Sequence, residues 1–145
     1  MAARGPCPMV LLLSALLCLC LVQFTQGASF QEFVSEHVDY PKTGGAKSRS
    51  YCNVLMQERG MTTTSCKPFN VFIHAPINQI RALCTSLGEH FRNDLYDSKK
   101  SFDLTVCRLV PRTFRRPCVY SSGSQTRRIR VACHNRLPVR LEQIL

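Results

Sequence analysis

The sequence predicts a single α+β domain, and three observations predict it. Apolar residues recur at helical spacing in the first half of the chain, whereas period-two alternation dominates from Phe69 onward. Helices early and strands later fit an antiparallel sheet with helices packed to one side. Six cysteines are spread from Cys52 to Cys133, across both halves, as expected for a small domain stapled by disulfides.

The elements follow in order. Ser29-Phe30-Gln31-Glu32 matches a capping box, and Phe30, Phe33, Val34 and His37 then fall on one helical face. His37 therefore points toward the domain. Pro41 to Gly45 breaks the helix. Cys52, Leu55, Met56 and Arg59 share the face of a second helix, which Gly60 should stop. Pro76 suits the first turn of a third, with Ile77, Ile80 and Cys84 inward.

Strands take over elsewhere. Phe69, Val71 and Ile73 alternate with Asn70, Phe72 and His74. Phe102 to Val110, Cys118 to Ser121, Arg127 to Cys133 and Pro138 to Leu145 read as further strands, with Ile129, Val131 and Cys133 inward. The polar stretch from Gly88 to Lys100 reads as an exposed loop.

The N-terminus reads as an address. Arg4 precedes an apolar run from Met9 to Val22, and small residues follow at Gly27 and Ala28. That run is shorter than the ~20 residues a membrane-spanning helix needs, so a signal peptide over 1–27 is expected rather than an anchor, leaving 28–145 as the domain. Cys7, Cys18 and Cys20 leave with it. Cys52, Cys66, Cys84, Cys107, Cys118 and Cys133 remain, and their spacing cannot rank the possible pairings. No CxxC or HxxxH spacing suggests a metal, and no cofactor is expected.

Removing Arg4 leaves eighteen lysines and arginines against nine acidic residues, a net charge of +9. The charge is concentrated: between Leu104 and Leu141 there are nine arginines, including Arg112, Arg115 and Arg116, and no acid. Such a one-sign field is either a solvated basic face or a surface for a polyanion such as RNA, a heparan-sulfate-like glycan or an anionic bacterial surface.

Metal-free RNA cleavage needs a base for the 2′-hydroxyl, an acid for the leaving oxygen and a cation for the transition state. His37 is a candidate base. Lys67, beside Cys66, is a candidate cation. His74, His90 and His134 read as surface or support histidines.

The larger pattern resembles the pancreatic ribonuclease (ribonuclease A) superfamily. Tyr51-Cys52-Asn53-x-x-Met56, Cys66-Lys67-x-x-Asn70-x-Phe72-Ile73-His74, Val131-Ala132-Cys133 and Leu137-Pro138-Val139 carry the likeness over essentially the whole mature chain. Six cysteines, Ser98 to Phe102 and Leu137 to Val139 are most similar to the angiogenin-like and avian leukocyte branches. The resemblance implies a ribonuclease A-like α+β fold with three short helices around a curved, V-shaped antiparallel sheet. It also implies disulfides Cys52–Cys107, Cys66–Cys118 and Cys84–Cys133, a monomer, and an RNA cleft with His37 as base, Lys67 as cation and Asn70 as support.

Four departures follow. Where the family places Pro-Val-His, this chain has Pro138-Val139-Arg140, and arginine cannot cycle as an acid. Val71 replaces a pyrimidine-contacting threonine, which removes a hydroxyl from the substrate pocket. Glu36 replaces a phosphate-touching glutamine. The arginine-rich nuclear-entry segment of angiogenin has no counterpart at Gln57-Glu58-Arg59. Two readings compete: a secreted, pyrimidine-preferring endoribonuclease acting through a 2′,3′-cyclic phosphate, or a weakened relative that works by binding, in host defence or angiogenin-like signalling. Strand geometry adds that Arg140 and Glu142 face one side and should pair.

Overall fold

The computed structural model describes residues 29–44, 48–111 and 116–145. The expected signal peptide, Gly45, Arg112 and Arg115 lie outside the described residues. Helix α1 spans 29–37. Then come α2 (Ser48–Glu58), β1 (Phe69–Ile73), α3 (Ile77–Arg81) with a 3-10 turn at Ala82–Cys84, β2 (Gly88–Arg92), β3 (Leu95–Ser98), β4 (Phe102–Leu109), β5 (Tyr120–Arg127), β6 (Ile129–His134) and β7 (Leu137–Ile144).

Pairing resolves the single curved sheet expected from the sequence into two antiparallel sheets. One has the order β1-β4-β5, the other β2-β3-β6-β7. The central strands follow the alternation rule. In β1, Val71 and Ile73 enter one apolar core with Phe30, Phe33, Leu104, Val106, Ile129 and Val131. Phe72, one step out of phase, enters a second core with Tyr51, Leu55, Met56 and Tyr120. Strand β1 thus joins both cores, which fixes the residues at its start.

The α1 face buries Phe30, Phe33 and His37 as expected. Helix α2 ends in a Schellman arrangement: Met61 N–H donates to Met56 O at 2.9 Å and Gly60 N–H to Gln57 O at 3.0 Å. Gly60 has φ +76°, a conformation that glycine adopts without a Cβ penalty. The disulfides are Cys52–Cys107, Cys66–Cys118 and Cys84–Cys133. They tie α2 to β4, the approach of β1 to that of β5, and the 3-10 turn to β6.

Three expectations are corrected. Gly88 to Lys100 is largely the β2–β3 hairpin rather than a loop, turning at Asn93 with φ 50°. Four of the five β2 side chains are exposed, so no apolar alternation marks it. The strand expected at Cys118 to Ser121 starts at Tyr120 and runs to Arg127 through a serine- and glycine-containing stretch, because β4 supplies a ladder partner throughout. Both strands lie at sheet edges, where few side chains face a core. Ile77 does not face inward; it is 44% exposed at the start of α3.

Candidate active site

The site assembles around the start of β1. Lys67 is fixed by its backbone: its N–H donates to Met61 O at 3.0 Å, and its carbonyl accepts from the Tyr120 hydroxyl at 2.8 Å. The neighbouring Cys66–Cys118 disulfide anchors the same turn. Tyr120 was not singled out from the sequence, since a lone tyrosine in a strand carries no signal of what its hydroxyl meets.

Asn70 joins three parts of the site. It is buried, its Nδ2 donates to the Glu36 carbonyl at 2.8 Å, and its Oδ1 accepts from Lys67 Nζ at 3.2 Å. One amide therefore sets the last turn of α1 and the lysine ammonium in fixed relation. His37 follows Glu36 on that turn, and its Nδ1 lies 2.9 Å from the Val71 carbonyl. A carbonyl can only accept, so Nδ1 carries the proton and Nε2 is left with its lone pair. Burial holds the His37 pKa below the usual imidazole value, and Lys67 pushes the same way; the Val71 hydrogen bond and Glu36 act in the opposite sense. Burial and Lys67 thus favour the neutral imidazole, with its Nε2 lone pair turned away from Val71.

Strand β7 forms the facing wall. A cavity of about 480 Å³ lies between the elements, lined by Glu36, His37, Lys67, Asn70 and Val71 on one side and by Val139 to Ile144, Arg140 included, on the other. The structure therefore brings together all the site residues the sequence singled out. Arg140 Nε donates to Glu142 Oε2 at 2.9 Å, the pairing expected from strand geometry. Phe69 and Arg108 also line the cavity, with the guanidinium carbon 5.0 Å from the ring centroid. Sequence reading assigned neither of them to the site, although the β1–β4 register pairs them directly.

The other histidines are elsewhere. His74 donates from Nδ1 to the Asp39 carbonyl at 2.8 Å, and its Nε2 lies 2.7 Å from the Thr105 hydroxyl. Asp39 is buried with the Tyr51 hydroxyl at 2.5 Å and Thr43 Oγ1 at 2.8 Å. His90 and His134 are exposed. Among the described residues no group of three or more histidine, cysteine, aspartate or glutamate side chains could hold a metal ion. Among the same residues no helix is long and apolar enough to cross a membrane.

A three-disulfide α+β domain with a basic cleft between two antiparallel sheets has the architecture of a small ribonuclease. The chain belongs to the pancreatic ribonuclease family, whose family model matches residues 28–142. It is 41% identical over 116 residues to the pancreatic ribonuclease of Iguana iguana, covering 80% of this chain and 98% of the relative. Ribonuclease 4 of Rattus norvegicus is 40% identical over 128 residues, 86% of each chain. The crystal structure of green turtle egg white ribonuclease is similar with a TM-score of 0.77 at 43% identity, over 81% of this chain and 98% of that one.

Proposed function

We propose that this protein is a secreted, monomeric member of the family that binds RNA or another polyanion in its cleft and cleaves RNA only weakly. In this reading residues 1–27 are removed as a signal peptide, and the three disulfides suit the oxidising route that follows. His37 Nε2 takes the 2′-hydroxyl proton, Lys67 offsets charge on the phosphorane-like transition state, and Asn70 keeps the two in register. The product of that step is a 2′,3′-cyclic phosphate.

One observation carries the reading: the cavity wall opposite His37 offers Arg140, tied to Glu142. A guanidinium holds a phosphate but keeps its proton, so the leaving 5′-oxygen has no acid at that position. Losing that arm of the acid–base pair costs roughly 10²–10⁴-fold in rate. Affinity for polyanions is retained through phosphate contacts that do not read sequence, which suits RNA, heparan sulfate or an anionic bacterial surface, and a host-defence or angiogenin-like role.

The test pairs RNA cleavage with RNA binding. Weak turnover that His37→Ala removes, together with salt-sensitive binding that His37→Ala leaves in place, is the expected result. Robust, pyrimidine-preferring turnover by the parent would instead mark a fully active endoribonuclease.

A further inference from the structure

The carboxylate of Glu36 stands among the groups that would receive a substrate phosphate. Its Oε2 lies 3.6 Å from His37 Nε2 and 3.9 Å from Lys67 Nζ. Its backbone is pinned by Asn70, which also receives the Lys67 ammonium, so the carboxylate sits beside the Lys67 ammonium and the His37 ring. The side chain is half exposed, leaving it room to swing toward solvent. Across the cavity, Glu142 holds Arg140 in the same manner. Among the described residues, two of the three lysine and arginine side chains lining the cavity thus already face an anion, while the third, Arg108, stacks over Phe69.

From this arrangement we infer that Glu36 is a built-in competitor for the phosphate position, an autoinhibitory anion that an incoming phosphate must displace from Lys67 and from the space beside His37. The inference rests on the reading of the cleft as a phosphate site. A phosphate oxygen engaging Lys67 Nζ would meet a like charge in the space Glu36 occupies. At this exposure the repulsion is partly screened, so its removal changes affinity by a factor of about three to ten.

The experiment measures dissociation constants for inorganic pyrophosphate and for a short single-stranded RNA at constant ionic strength. It compares the parent with Glu36→Gln, Lys67→Ala and Glu89→Gln, the last removing the same charge from the exposed edge strand β2. Glu36→Gln should bind both probes about three- to tenfold more tightly, and Glu89→Gln should match the parent. NMR titration of His37 supplies a readout that needs no ligand: Glu36→Gln should lower its pKa further, since the Glu36 charge raises it. Equal affinity of parent and Glu36→Gln, with Lys67→Ala weakened, would overturn the autoinhibitory role and leave the phosphate site standing. Binding that neither Glu36→Gln nor Lys67→Ala alters would overturn both.

Discussion

Arg140 donates its Nε–H to Glu142 Oε2 at 2.9 Å, two residues along the same terminal strand and facing the same cavity as His37. The pair is well exposed on both sides, so it contributes little to stability. Its effect is on the cleft. It aims the guanidinium along the strand and offsets part of the charge that a phosphate would otherwise meet.

His37 should titrate below 6.5, because burial outweighs the Val71 hydrogen bond and Lys67 adds to the depression. Lys67→Ala should raise the NMR midpoint toward the ordinary value. The folded state binds the proton less readily than the unfolded chain. The stability that His37 contributes is therefore fully present above 6.5 and is lost as pH falls through its folded midpoint. Urea unfolding across that window should give a slope that His37→Ala removes.

Asp39→Ala should destabilise the fold by about 3 kcal/mol, since it leaves the buried Tyr51 hydroxyl and the Thr43 groups unpaired and removes the carboxylate beside Arg59. Burial acts to raise the Asp39 pKa, but hydrogen bonds from Tyr51 and Thr43 outweigh it and hold the carboxyl below its usual range. Its stabilisation is consequently present above the unfolded pKa and lost as pH falls through the depressed folded value. The urea midpoint should drop at pH 7 with the m-value unchanged, and the deficit of the variant should shrink in acid.

Gly88→Ala should cost about 3 kcal/mol, because a Cβ there would sit 1.7 Å from the Leu83 carbonyl oxygen, a backbone atom with no easy retreat. Gly123→Ala, in open space on β5, should be neutral or stabilising by about 0.5–1 kcal/mol. Thermal unfolding of the two variants separates a glycine required by close approach from one that is merely tolerated.

What could be read from sequence divides along physical lines. The α1 and α2 faces and the β1 alternation were legible because each buries a continuous stripe, and Gly60 announced the helix end. The β2–β3 hairpin was not, because its edge strand presents Glu89, His90, Phe91 and Arg92 to solvent and shows no apolar alternation. His37, Lys67, Asn70 and Arg140 were legible as a set through the family pattern, and the pairing of Arg140 with Glu142 through strand parity. The Tyr120 clamp on Lys67, the Phe69–Arg108 stack and the Asp39 network depend on contacts between distant segments, which local spacing does not encode.

The most direct measurement is the rate of dinucleotide cleavage by Arg140→His beside the parent and the Arg140→His/His37→Ala double variant. Restoring an imidazole opposite His37 should raise turnover by roughly 10²–10⁴-fold with a bell-shaped pH profile, and the double variant should lose that gain. Turnover of Arg140→His equal to that of the parent would contradict the claim that the missing acid at position 140 limits this cleft.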